Sequence, residues 1–274
     1  MPYSTAKYSL YSLFILVWLV CLSVFIFMNL PIIYLMIIKF MDISTSTHIK
    51  MTDIADNYTN IIRYLQSPFI SHMHTVIPVN DVVIKHFRDV KTLIIINNLL
   101  VVILTLVNFK MINRLSISNK LWILRMPLRS IYMLFTSLVI FSVIDFNDAF
   151  VFMHKLLFRN QNWIFDEKKE PIINLFPSQY FMIGFIFIFL IVSIGMVLIL
   201  NKIKKDSLWV LFIYAFLFLN KAIIAGKHVT KMIPNTTAEK CSWTKGMFPK
   251  KYPPPQHRNT QTKHAVTLYL TNFW

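Results

Sequence analysis

Residues 82–109 read VVIKHFRDVKTLIIINNLLVVILTLVNF, and this stretch decides the class of fold. From Leu93 onward only two adjacent asparagines, Thr105 and Asn108 interrupt an apolar run. A helix needs about 20 such residues to cross a hydrocarbon layer of about 30 Å, so a span is expected near 92–109. Asn80 and Asp81 can cap the polar turns that lead into it. At about 100° per residue, Val82, His86, Asp89, Val90, Leu93 and Asn97 share one face, whereas Lys85, Arg88 and Lys91 point elsewhere. His86 and Asp89 are then an i,i+3 pair, able to hydrogen-bond or to share a ligand. Asn97 lies about 16 Å deeper along the same helix and is suited to a hydrogen bond inside the bundle.

Working outward, residues 8–38 are almost wholly apolar, too long for a signal-peptide core and without a small-x-small cleavage pattern. A first, uncleaved span is expected near 10–34. Two more follow near 130–145 and 179–200, the last started by Pro177 and Ser178. Hydrophobic residues make up 56% of the chain and charged residues 15%, where a soluble domain carries about 25% charged. The class is therefore an all-α membrane protein with four transmembrane helices.

The formal net charge of +16 admits either nucleic acid or a membrane as the reason for it. Position separates the two. Ten of the twelve acidic residues fall within 42–89 and 145–170, while the loop 110–129 holds Lys110, Arg114, Lys120, Arg125 and Arg129 and no acid. Banding of this kind follows the positive-inside rule, and no basic stripe interleaved with stacking aromatics lies outside the spans. Nucleic acid is not an expected partner. The rule puts the N terminus and the loop 110–129 in the cytoplasm, and segments 39–91 and 146–177 outside. The tail 206–274 carries a twelve-residue apolar run, LWVLFIYAFLFL, and a basic, proline-containing end, and it stands apart from the four-span region 1–205. Cys21 and Cys241 have no CxxC or zinc-type spacing and indicate neither a disulfide framework nor a thiol site.

Both outer segments are expected to carry interfacial helices. In the first, Thr52 and Asp53 can cap a helix whose face is Ile54, Tyr58, Ile61, Ile62 and Leu65, stopped by Pro68. It suits a membrane interface or a lid packed on the bundle end. In the second, DFNDAFVFMHKLLFRNQNWIFDEKKEPIINLFP (145–177), Phe146, Phe150, His154 and Phe158 recur every four residues and form one helical stripe. Trp163, Asp166, Glu170 and Pro171 make an aromatic and acidic turn beyond it.

No GxSxG, P-loop, dinucleotide fingerprint, HExxH or DxDxDG motif occurs. What remains is a pair of histidines, His86 and His154, each on a mostly apolar face and at the same membrane interface. Ionisable groups near hydrocarbon are costly enough to suggest a role, and imidazole moves protons near neutral pH. Three readings stay open on the residues alone. The pair can serve as general base and general acid; His86, Asp89 and His154 can bind a metal ion for a membrane hydrolase; or the chain is a transporter or partner protein without catalysis.

The motifs DNYTNIIRYL (56–65), HFRDVK (86–91), FMHKLLFRNQNWIFD (152–166) and EPIINLFP (170–177), in this order, resemble the lipoprotein intramolecular transacylase family, Lit, of Gram-positive bacteria. The resemblance covers roughly residues 8–205. It implies that His86 and His154 are the catalytic pair. It also implies that the substrate is a diacylated lipoprotein in the outer leaflet, reached among membrane lipids. The sn-2 acyl chain of its S-diacylglyceryl cysteine would move to that cysteine's amino group, leaving lyso-form lipoprotein and needing no cofactor. Around the pair, Asp89 is expected to orient His86. Arg88 or Lys91 could bind an oxyanion or headgroup phosphate, or else snorkel to the lipid surface. Asn57 and Tyr58 could position substrate, and Trp163 could anchor the turn at the interface. Glu170 stands where the family pattern has Asp.

Overall fold

Pro31 divides the first apolar run. The structure is a computed structural model that describes residues 5–165 and 170–203, and these are helices joined by turns and loops. Asp166 and the tail 206–274 lie outside the described residues. Helix α1, Thr5–Met28, stops short of the proline, and α2, Pro31–Phe40, begins with it. Proline has no N–H to give and pushes its predecessor out of the helical region, so Leu30 sits at φ −111° and ψ 75°. In place of one span over 10–34 there is a span ending near residue 28 and a short second helix beyond it.

Helix α3, Ile43–Thr47, and α4, Met51–Gln66, follow. Helix α5 is a single run from Asp81 to Ile117. A 3-10 turn, Leu121–Leu124, feeds α6, Arg125–Ile144, and α7 is Phe146–Leu157. A second 3-10 turn, Pro171–Leu175, precedes α8, Ser178–Ile203. Among the described residues, four segments are long and apolar enough to cross a membrane: α1, α5, α6 with its leading turn, and α8.

Helix α1 lies at the centre of the bundle. Of its most apolar window 56% is buried, against 11–22% for the other three, whose remaining surface is left for lipid. Lipid tails give apolar helices no hydrophobic reason to associate, so close packing and hydrogen bonds must do it. Trp18 Nε1 donates to Thr105 Oγ1 at 2.8 Å, Asn97 Nδ2 to the Cys21 carbonyl at 3.1 Å, and Asn108 Nδ2 to the Phe14 carbonyl at 3.3 Å. Residue numbers fall along α1 as they rise along α5, which makes the pair antiparallel. Asn97 thus holds α5 to α1, as its depth suggests. On the other side, a Cβ at Gly184 would come within 2.7 Å of Phe27, and one at Gly195 within 2.7 Å of Leu19. Glycine at these two places lets α8 approach α1.

At about 1.5 Å per residue, the 37-residue α5 is about 55 Å long, well beyond the hydrocarbon layer. Its first turns project past the bundle at the end where α1 finishes and α8 begins. A second core gathers round them. Tyr34, Ile37 and Ile38 of α2, Ile54, Tyr58, Ile61 and Leu65 of α4, Val83 of α5, Ile172 and Leu175 of the short turn, and Tyr180 of α8 are buried together. Helix α4 therefore spends its apolar face on protein, as a lid, and each buried aliphatic or aromatic side chain contributes about 1.5–3 kcal/mol. The basic residues 110–129 lie at the opposite end.

Asn80 ties this lid region to α5. Its Oδ1 caps the helix by accepting from Val83 N at 3.0 Å, and its Nδ2 donates to the buried carboxylate of Glu170. Losing a cap costs about 0.5–2 kcal/mol, and weakening the setting of a buried carboxylate adds to that. Thermal unfolding in detergent should show Asn80→Ala destabilised by about 2–3 kcal/mol. Asn80→Ser, which keeps the cap and loses the tie, should fall between it and the parent. An unfolding temperature unchanged in Asn80→Ala would contradict this account of the lid.

Candidate active site

The stripe expected on residues 146–158 forms on the helix as far as His154; Phe158, its fourth member, is the extended residue just past Leu157, and its ring still meets His154. Helix α7 starts with Asp145 accepting from Asp148 N at 3.1 Å, and its aromatic rings follow one another along one face. Ring centroids lie 5.8 Å apart for Phe146 and Phe150, 4.1 Å for Phe150 and His154, and 5.6 Å for His154 and Phe158. His154 is the buried residue of that helix.

Opposite it, His86 comes from the projecting turns of α5. The two imidazole centroids are 6.2 Å apart with their planes 27° from parallel. Each residue is 9% exposed. Phe158 touches both rings, at 5.0 Å from His86 and 5.6 Å from His154. Phe165 stands edge-on to His86 at 5.4 Å, and Trp163 lies 5.1 Å from His154. Two proton-carrying rings thus share one pocket walled by phenyl and indole. At this separation the rings do not bond to one another directly.

The hydrogen bonds of the two rings differ. His154 Nδ1 is 2.8 Å from the Phe150 carbonyl. A carbonyl only accepts, so Nδ1 carries the proton, and in the neutral ring the lone pair is left on Nε2. For His86, Nδ1 is buried and has no hydrogen-bond partner among the described residues. A buried polar atom left so is costly unless something else occupies the site. Burial lowers the His154 pKa from its ordinary 6.5, partly offset by the bond to Phe150, which favours the protonated ring.

Several residues expected at the site have other partners. Asp89 accepts from Asn160 Nδ2 at 2.9 Å, so its hydrogen bond goes to the turn after α7 and not to the ring of His86. Lys91 is drawn inward: it donates to the Ile70 carbonyl and lies 4.2 Å over the Tyr64 ring, which pins the loop between α4 and α5. Arg88 is exposed. Asn57 is wholly buried, with Nδ2 on the Asp53 carbonyl at 2.7 Å and Oδ1 accepting from Val76 N at 2.9 Å. Tyr58 stacks on Tyr34 at 3.8 Å, and its hydroxyl meets that of Tyr180 at 3.4 Å. Asn57 and Tyr58 thus hold the lid together. Asp166 lies outside the described residues.

Among the described residues, no three of His, Cys, Asp or Glu converge as a metal site would need. The set His86, Asp89 and His154 does not converge in this way, and Asp89 Oδ2 is engaged by Asn160. Asn160 and Phe165 are neighbours of the pair that the sequence reading did not single out. The run RNQN just past the end of α7 marks a turn, but nothing in it points to Asp89, 71 residues away.

The fold matches solved membrane proteins. The in meso structure of the membrane integral lipoprotein intramolecular transacylase Lit from Bacillus cereus aligns with a TM-score of 0.69 at 23% identity. That alignment covers 75% of this chain and 97% of the other. A histidine-to-alanine variant of that protein aligns at 0.63 and 24% identity, covering 73% and 92%. A histidine-to-arginine variant aligns at 0.57 and 23%, with the same coverage. No curated protein sequence matches the chain. The sequence model of the family described as lipoprotein intramolecular transacylase Lit matches residues 9–181, more than half of the 274, and takes in both histidines. The chain belongs to the lipoprotein intramolecular transacylase family, Lit, and is by that membership a multi-pass membrane acyltransferase.

Proposed function

We propose that this protein moves the sn-2 acyl chain of a lipoprotein's S-diacylglyceryl cysteine onto the amino group of the same cysteine, with His86 and His154 carrying the protons. The observation that supports it best is the shared pocket. Two buried imidazoles face one another at 6.2 Å among aromatic rings, one with Nδ1 held as a donor and the other with Nδ1 unbonded.

The amine nitrogen attacks the ester carbonyl and must lose a proton. Nε2 of His154 has the free lone pair to take it. The carbon–oxygen bond to the glycerol sn-2 oxygen then breaks, and that oxygen gains a proton from the imidazole pair. An ester becomes an amide, one proton leaves nitrogen and one reaches oxygen, and no water or redox partner is consumed. The change from ester to amide is downhill, so the reaction draws on no nucleotide. Nucleophile and ester belong to one molecule, so much of the catalysis is holding it bent with water kept out. Effective concentration of this kind can lower a barrier by about 7–11 kcal/mol. Phenyl walls suit both the acyl chain and the exclusion of water.

The site is proposed to lie on the extracytoplasmic side. Lys110, Arg114, Lys120, Arg125 and Arg129 are at the far end of the bundle from the histidines, and the positive end is the cytoplasmic one. Segments 39–91 and 146–177 then face outward, where the diacylglyceryl group of a lipoprotein resides among the lipids of the outer leaflet.

Mass spectrometry of a model diacyl lipoprotein, expressed with and without the protein, tests the reaction. The acyl chain should move from glycerol to nitrogen with no change in mass. His86→Ala and His154→Ala should each lower the rate by about 10²–10⁴, and the double variant should be little worse than either, since the two act as a unit. Transfer that survives both substitutions would falsify the proposal. Release of free fatty acid, with loss of activity on chelation and return with zinc, would mean a metal-dependent hydrolase.

The low pKa of His154 has a consequence for stability. The unfolded chain holds a proton on this residue at pH values where the folded one does not, so unfolding takes up a proton in that window. Stability is therefore full above about 6.5 and declines as pH falls below it. Unfolding measured from pH 7.5 down to pH ~5 should show a decline that is shallower in His154→Gln. Equal declines would mean that the imidazole is not held neutral by burial.

A further inference from the structure

Asn160 bonds both to the helix of His86 and to the aromatic turn on His154. Its Nδ2 donates to Asp89 Oδ2 at 2.9 Å, one helical turn beyond His86 on α5. Its main-chain carbonyl accepts from Trp163 Nε1 at 3.0 Å, and the indole so held lies 5.1 Å from His154. Its Oδ1 accepts from Asn162 N at 3.0 Å, which fixes the side chain within the turn. Three bonds from one residue thus join α5, the turn and the ring that backs His154.

Only an amide satisfies this set. It must donate to a carboxylate through one atom and accept from a backbone N–H through the other. Aspartate would set two carboxylates against each other, and a shorter hydroxyl could not span the same distance. Asn160 is exposed, and hydrogen bonds so placed add little to stability. The two histidines come from separate helices, and a crosslink between those elements near the rings constrains their mutual geometry.

We infer that Asn160 is a positioning residue, which sets the separation and tilt of the His86 and His154 rings by bonding Asp89 on one side and Trp163 on the other. This rests on the reading of the two histidines as the reacting pair. A displacement of about 1 Å at reacting groups can cost about 10²-fold in rate, so the effect belongs in kcat.

The test uses the full-length protein in proteoliposomes with a synthetic diacylated lipopeptide, and reads kcat, KM and the thermal unfolding temperature together. Asn160→Asp should lower kcat by about 10- to 100-fold, with KM within about twofold of the parent and the unfolding temperature unchanged. Adding Asp89→Asn exchanges amide and carboxylate and leaves every bond possible: the amide at 89 donates to the carboxylate at 160, which still accepts from Asn162 N. The double exchange should return kcat to within about threefold of the parent. Trp163→Phe keeps a ring beside His154 and removes the indole N–H, and should lower kcat in the same direction by a smaller factor. The inference is overturned if Asn160→Asp turns over at the parent rate, or if its loss is not restored by the exchange. His86→Ala and His154→Ala are run in the same assay. Activity in those two defeats the histidine reading itself, whereas their silence beside a fully active Asn160→Asp defeats only the role given to Asn160.

Discussion

A helix of 37 residues cannot be contained in a hydrocarbon layer of about 30 Å, and the rest of the structure answers to that constraint on α5. The surplus turns carry His86 and Asp89 out of the bundle, and exposed backbone and apolar side chains there need cover. Asn80 caps the first turn and Glu170 holds Asn80. Lys91 reaches back to the Ile70 carbonyl, and α4 lays its apolar face over the whole. Without the lid, His86 would be an imidazole on a frayed helix end. With it, the first turns of α5 are held in place, and His154, Phe158 and Phe165 bury the ring.

Burial then changes what the imidazoles can do. A protonated ring among phenyl groups has lost most of its hydration, and two such rings 6.2 Å apart also repel. The pocket therefore favours at most one proton beyond neutrality across the pair. His154 keeps its Nδ1 proton on the Phe150 carbonyl, which leaves Nε2 open. A pair that holds one extra proton with difficulty is suited to take a proton from an amine and return it to an alkoxide. The proposed reaction asks for that and for little else beyond a dry, shaped cleft.

Features encoded locally were legible in the sequence. The four-residue stripe from Phe146 to His154, the Asn80 cap and the apolar runs each depend on neighbours within a turn or two, and each is present; the helix ends before Phe158, which the repeat includes. The bend at Pro31 was visible as a residue but not as a break, because proline inside an apolar run is tolerated in many spans. The partners of Asn57, Tyr58, Asp89 and Lys91 were not legible. Each is a polar group on a helix whose solvent-like appearance is cancelled by a segment arriving from elsewhere in the chain. Val76 and Ile77 supply N–H groups to Asn57, Tyr180 supplies a hydroxyl to Tyr58, and Asn160 supplies an amide to Asp89. Periodicity places a residue on a face; it does not say which loop will fold against that face.

The proposed proton transfer turns on His154 standing beside His86 with Nδ1 protonated and Nε2 free to accept. Nitrogen-15 NMR of histidine-labelled protein in lipid, assigned through His154→Gln, reads that tautomer directly. At neutral pH the His154 ring should be neutral with its proton on Nδ1. A ring protonated on Nε2 alone, or charged throughout, would contradict it.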